Sequence, residues 1–169
     1  MRTVYIHTLH GTPEQGQTPM AGRWFEEFAV GQVIEHEIRR TVTEADNVWF
    51  CSATYNPAAI HIDAEYCKGT EFGRPLVNSI FTLGLVIGLS VQDTTLGTTV
   101  ANLGMTDTRF PSPVFHGDTI RSRTTVKALR ESKSRPNAGI VTFLHQGYNQ
   151  RDEEVCTCER QALMLRKPA

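Results

Sequence analysis

Between Asn78 and Val91 the chain is apolar on nearly every face, with Ile80, Phe81, Leu83, Leu85, Val86, Ile87, Leu89 and Val91 distributed around a helical wheel. A helix that is hydrophobic all round must be buried. Asn78 is a natural cap in front of it. Gly84 and Gly88 stand four apart on one side, each costing about 1 kcal/mol in helix propensity. Their missing side chains let a sheet or another helix approach closely. The apolar run from Leu76 to Val91 is broken by Asn78, Ser79, Thr82 and Ser90, which argues against a membrane span. The economical way to bury such a helix is to wrap a sheet around it.

The remainder of the sequence supplies that sheet. Long segments run from about Thr98 to Phe110, Thr119 to Leu129, Ile140 to Asn149 and Glu154 to Leu165. Turn-like stretches at Ser134-Arg135-Pro136-Asn137 and Gln150-Arg151-Asp152 join the last three. Ile120, Ser122, Thr124 and Val126 alternate with Arg121, Arg123, Thr125 and Lys127, and short loops between long strands predict an antiparallel meander with one wet face. Upstream, Val33 to Ile38 shows an imperfect two-residue alternation after a turn at Gly31. Thr43 then opens a helix as a hydroxyl cap, with Asp46 three residues on as the capping acid and Ala45, Val48, Trp49 and Cys51 as its apolar stripe. Asn56-Pro57 stops it. The expected class is α+β, a long antiparallel sheet wrapped around a buried central helix.

A chain of 169 residues with 40% hydrophobic content fits one domain with one core. Residues 1–22, rich in Gly, Pro, Gln and Thr without a period, read as a loosely ordered arm, and 23–169 as the domain. The formal charge is −1 and the 17 basic residues are scattered, so no phosphate-backbone footprint exists and nucleic acid is not an expected partner. The N-terminus lacks the apolar stretch of a signal peptide. Cys51, Cys67, Cys156 and Cys158 are too few and too irregular for a disulfide framework or a four-ligand zinc site. Reduced thiols in a cytoplasmic protein, not attached to a membrane, are the expectation.

The chemistry concentrates in TYNPAAIHIDAEYCKGTEFGRPLVNS, which leads directly into the apolar helix, and in FPSPVFHGDTIRSR after it. The loop ending in His61, the Phe-Gly-Arg-Pro turn before the helix, and the Pro-Val-x-x-Gly-Asp-Thr turn into a long strand together resemble the MaoC-like single hot-dog dehydratases of the R-specific enoyl-CoA hydratase type. The resemblance spans roughly residues 24 to 166. It implies a hot-dog fold, an acyl-CoA thioester substrate and a site at the interface of a homodimer or larger assembly.

Hydration of an enoyl thioester needs a base for water, an acid for the alpha carbon and donors for the enolate oxygen. The resemblance assigns the first two to His61, whose imidazole can serve in both directions near neutral pH. Most of the family carries an Asp five residues before this His; here that residue is Asn56, which can orient water through hydrogen bonds but cannot accept its proton. An alignment with two inserted residues puts Thr54 there instead, and neither restores a carboxylate. Some family variants that resemble this loop with Asn in this place are associated with coenzyme A esters of branched or dicarboxylic acids, such as the itaconyl and mesaconyl types. Where the family has His-Gly, this chain has Asn78-Ser79, and the backbone amide of either is a candidate oxyanion donor at the start of the helix. Asp63 either caps a short helix or steers His61. Arg74, with Arg109 and Lys133, is a candidate for coenzyme A phosphates, and Asp118 reads as a turn residue.

The leading expectation is therefore a hydratase or dehydratase acting across the 2,3 bond of an enoyl-CoA, with no metal or redox cofactor, since loss of water transfers no electrons. The alternatives are a non-catalytic acyl-CoA or acyl-carrier binding module that kept the fold without the acid, and a hot-dog thioesterase. The thioesterase needs a carboxylate on or near the central helix, and Asn78 to Val91 has none.

Overall fold

In the computed structural model, residues 22–168 are described, so the arm assigned to 1–22 lies outside the described residues except for Gly22. A 3-10 turn at Phe25–Glu27 precedes β1 (Val33–Thr41), α1 (Glu44–Ala53), α2 (Ala59–Ile62), α3 (Ala64–Cys67) and α4 (Ser79–Thr94). The strands β2 (Thr99–Arg109), β3 (Thr119–Glu131), β4 (Ala138–Tyr148) and β5 (Glu154–Leu165) follow. They form one antiparallel sheet in the order β1-β3-β4-β5-β2. The meander is β3-β4-β5, as the alternation and short turns require, and the strands flanking α4 in sequence close the two edges. The Thr43 cap forms as expected, with Asp46 N–H donating to Thr43 Oγ1 at 3.3 Å and Thr43 N–H to Asp46 Oδ2 at 2.9 Å.

The sheet curls over α4 and approaches it tightly at Gly147 on β4, where an added Cβ would meet Val86 Cγ2 at 2.3 Å. Glycine is required there because the helix rests on backbone. Val42, Val77, Val86, Leu89, Val114, Ile120, Val155 and Cys156 form the core under the helix. A second core, built from Phe25, Phe28, Ile34, Val126, Val141, Phe143, Ala162 and Met164, lies farther along the same concave face. Cys156 and Cys158 both point inward, and all four cysteines are free and buried.

Burial of α4 departs from the all-round expectation. Thr82, Val86, Leu89, Ser90 and Thr94 are buried against the sheet, but Ile80 is 59% exposed, and Gly84 and Gly88 meet nothing within 4 Å. One concave sheet covers one side of a helix; the stripe at Ile80, Gly84 and Gly88 has no cover among the described residues. On β2, Val100, Leu103 and Met105 are also exposed, and among the described residues β2 pairs only with β5.

A polar belt separates the two cores. Arg160 Nε donates to His145 Nε2 at 3.0 Å, so His145 carries its proton on Nδ1, which lies 2.9 Å from Thr124 Oγ1. The Thr124 hydroxyl proton is thereby directed to His36 Nε2 at 2.8 Å, and His36 Nδ1 donates to Asp93 at 2.8 Å. Burial, and then the neighbouring Arg160 and His36, push the His145 imidazole down to about 3, so it is neutral in the fold.

Candidate active site

The end of α1 sets the geometry of the loop. Tyr55 adopts a left-handed φ of 55°, reversing the chain so that Asn56 N–H returns to the Cys51 carbonyl at 2.8 Å. Pro57 prevents the helix from continuing. Asn56 Oδ1 accepts the Ala58 N–H at 3.1 Å, a local Asx turn, and the chain enters α2. His61 therefore stands on a single helical turn where the sequence predicts loop. Asp63 ends that turn and caps α3, accepting Tyr66 N–H at 2.9 Å.

The half-buried His61 ring has one anchored nitrogen. Nδ1 lies 3.0 Å from the Leu76 carbonyl. A carbonyl only accepts, so Nδ1 carries the proton and Nε2 keeps its lone pair. Leu76 is in turn fixed by its N–H to the Ile60 carbonyl at 2.9 Å and by a bridge to Phe115. The base-like nitrogen of His61 is thus oriented by main chain only a few residues ahead of α4.

At the start of α4 the two candidate amides behave differently. Asn78 N–H is donated to Asn47 Oδ1 at 2.8 Å, and the Asn78 side chain caps the helix by accepting Ile80 N–H at 2.9 Å. Asn78 is buried and both of these groups are engaged. Ser79 N–H, the first of the helix, has no acceptor among the described residues, and its residue is exposed at the positive end of the helix dipole. A cavity of about 230 Å³ opens beside it, lined by Phe72, Leu76, Ser79, Thr82, Phe110 and Pro113 among others. A second hollow of about 330 Å³ is lined by Cys51, Tyr55, Asn56, Pro57 and Ile62. His61 stands between them in sequence and contact: its neighbour Ile62 lines one, and its acceptor Leu76 lines the other.

The structure therefore groups His61, Ser79 and Asn78 around the start of α4, with Asn56 beyond them at the second hollow. Thr54 does not join them. Its hydroxyl donates to the Phe50 carbonyl at 2.8 Å on the exposed end of α1. Asp63 is exposed and spent on its cap. The Arg74 guanidinium lies 3.7 Å from the Phe115 ring centroid, next to the Phe72 wall. Arg109 ends β2 beside Phe110, and Lys133 lies in the β3–β4 turn; both are exposed. Asp118 proves structural. Burial alone would raise its carboxyl, but donors from Gln150, the Phe115 N–H and Arg151 hold it below the usual range. Among the described residues no cluster of three or more His, Cys, Asp or Glu side chains is placed to hold a metal.

Sequence reading passed over Asn47. It is fully buried on α1 and touches the loop, the pre-helix segment and α4. The available signal was a polar residue lodged inside the stripe of Ala45, Val48, Trp49 and Cys51.

Residues 26–149 match the MaoC like domain family. The chain is 33% identical over 147 residues to a mesaconyl-CoA hydratase from Cereibacter sphaeroides, covering 87% of this chain and 42% of that protein. It is also 33% identical over 146 residues to a beta-methylmalyl-CoA dehydratase from Chloroflexus aurantiacus, covering 86% and 41%. The chain thus spans less than half the length of these curated relatives. Among solved structures, a MaoC-like dehydratase from Rhodospirillum rubrum superposes with a TM-score of 0.75 at 28% identity, covering 88% of this chain and 100% of that one. A Mycobacterium tuberculosis protein with a double hot-dog fold gives a TM-score of 0.77 at 24% identity, covering 87% and 45%. At that identity the likeness is one of fold.

Proposed function

The chain belongs to the MaoC-like dehydratase family, and from that premise we propose that residues 23–169 form one catalytic domain that hydrates enoyl thioesters or dehydrates their 3-hydroxy counterparts. The observation that carries this reading is a His61 ring with Nδ1 tied to Leu76 and Nε2 without a partner among the described residues, held by the segment that leads into α4 and its Ser79 amide, likewise unpartnered among them. His61 Nε2 takes a proton from water as the water oxygen bonds to C3 of the enoyl group. The double-bond electrons move toward the thioester, and the enolate oxygen is held by Ser79 N–H at the helix terminus. The imidazolium then delivers its proton to C2, completing addition of water. Asn56 contributes through its amide Nδ2, which can donate to the water oxygen, since its Oδ1 is engaged with Ala58. No electrons are transferred, so neither a metal nor a redox cofactor is needed; coenzyme A enters only as part of the substrate.

The substrate class proposed is a branched or dicarboxylic C5 acyl-CoA. Support comes from the two relatives at 33% identity, named for mesaconyl-CoA and beta-methylmalyl-CoA. Arg74 is offered to the coenzyme A phosphates, and Asn78 shapes the start of the helix beside Ser79. A second copy of the chain is proposed to cover the bare stripe of α4 and the exposed apolar residues of β2. The setting proposed is the cytoplasm, in keeping with four unpaired thiols; no helix among the described residues is long and apolar enough to cross a membrane.

The test is loss of conjugated-enoyl absorbance with crotonyl, longer straight-chain and mesaconyl thioesters, and a product assay for itaconyl-CoA. Turnover of a branched or dicarboxylic member that disappears in His61→Ala is expected. A second reading, a non-catalytic acyl-thioester binder, is favoured by one observation: the residue five before His61 is Asn56 rather than a carboxylate, and its oxygen already accepts the Ala58 N–H. That reading predicts measurable thioester binding, unchanged in His61→Ala, with no turnover on the whole panel. A thioesterase is not favoured. The one carboxylate on α4, Asp93, lies in its last turn, opposite the end that bears Ser79, and receives His36.

A further inference from the structure

The geometry assigns to Asn47 the role of positioning residue for both halves of the proposed site, an assignment that rests on the hydratase reading for its link to turnover. One side-chain amide closes three pieces of chain. Its Nδ2 protons go to the carbonyls of His61 and Leu76, each at 2.9 Å, and its Oδ1 accepts Asn78 N–H at 2.8 Å. His116 Nε2 also lies 3.1 Å from Nδ2, and Cys51 Sγ is 3.9 Å from Oδ1. An amide carries two donors and an acceptor with two lone pairs, so this site uses its whole capacity.

Two consequences follow for the chemistry. First, Asn47 grips the Leu76 carbonyl that receives His61 Nδ1–H, and it grips the His61 backbone as well. The distance between that carbonyl and the ring is therefore set by a third residue, and with it the tautomer that leaves Nε2 free. Second, by engaging Asn78 N–H, while the Asn78 side chain caps Ile80, Asn47 leaves Ser79 N–H as the open donor at the helix start. No other polar side chain among the described residues bonds to both the His61 segment and the α4 terminus. Its complete burial excludes it from contact with substrate, so it acts through His61 and Ser79 alone.

The experiment reads the ring nitrogens directly. Long-range 15N–1H correlation on the intact protein, with His61→Gln to assign the signals, should show the wild-type His61 ring as a single tautomer, pyrrole-type at Nδ1 and pyridine-type at Nε2. In Asn47→Ala the two nitrogens should average toward a mixture, kcat on the best thioester should fall by about 100-fold, and KM should change by less than about threefold. If Asn47→Ala does not fold, Asn47→Asp carries the same readouts, because it keeps the acceptor for Asn78 N–H and loses both donors. A wild-type ring protonated at Nε2 would overturn the assignment, as would a folded variant that retains the Nδ1–H tautomer. The readout does not depend on turnover: a wild-type protein inactive on every thioester sinks the hydratase reading, while the tautomer still decides the role of Asn47.

Discussion

Replacing Ser79 with proline removes one hydrogen-bond donor and almost nothing else. Ser79 is the first residue of α4, where the N–H has no intrahelical acceptor and where proline is favoured. The residue before a proline prefers ψ of about +120 to +160°, and Asn78 already sits at φ −59° and ψ 130°. The Ser79 side chain is exposed, so the pyrrolidine ring displaces no core packing. The helix should therefore form as before, with Asn78 still capping Ile80. If Ser79 N–H holds the enolate oxygen, its loss removes a charge-directed donor in a partly dry site, worth about 100- to 1,000-fold in kcat, or roughly 2.7–4 kcal/mol of barrier. Ser79→Ala, which keeps the N–H, is the control and should stay within about threefold of wild type. Enoyl hydration kinetics, with far-ultraviolet circular dichroism and melting to verify the helix, decide it. A well-folded Ser79→Pro protein whose kcat matches Ser79→Ala would refute the placement of the oxyanion at this amide.

Acid should weaken the fold through His145. Its folded-state value of about 3 lies below the ordinary 6.5, so the neutral form is stabilising above the unfolded value and stability falls as pH drops from about 6.5 toward 3. At about pH 5 the unfolded chain gains roughly 2 kcal/mol from protonating this histidine. Urea titrations at about pH 7.5 and 5 should show that loss in wild type and lack it in His145→Gln, the difference between the two isolating His145 from Arg160, His36 and Asp93 around it. Gly147→Ala places a methyl against Val86, for a cost of about 1–3 kcal/mol in urea unfolding. Gly88→Glu on the bare stripe of α4 and Leu103→Lys on β2 should each convert the proposed dimer to monomer in sedimentation, leaving circular dichroism unchanged; a wild-type protein already monomeric at tens of micromolar would remove that proposal.

The fold was legible where the signal is local. Thr43 and Asp46 announce α1, Pro57 ends it, Asp63 caps α3, and two-residue alternation with short turns yields the β3-β4-β5 meander. Periodicity also found α4, but it cannot say which apolar positions a chain covers by itself, and Ile80, Gly84 and Gly88 remain uncovered. Of the site, His61 and the start of α4 could be found because their neighbours form a recognisable order. The single turn of helix under His61 could not, being too short to show a period. The alignment that sets Thr54 at the acid's position meets a hydroxyl bonded back to the Phe50 carbonyl, as threonines near helix ends often are. Asn47 and the His36–Thr124–His145–Arg160 belt escaped for one reason. Their partners lie 14 to 88 residues away, and a buried polar residue is meaningful only once its partners are known.

Leu76 carries two duties on different atoms. Its side chain lines the cavity beside Ser79, while its carbonyl holds the His61 ring. The acceptor belongs to the main chain, so no codon change at position 76 deletes it, whereas every change there reshapes the wall. On the proposed hydratase reading, drift at this position can therefore retune which acyl group fits without disarming the base. Directed evolution for altered acyl selectivity would do well to start at that codon.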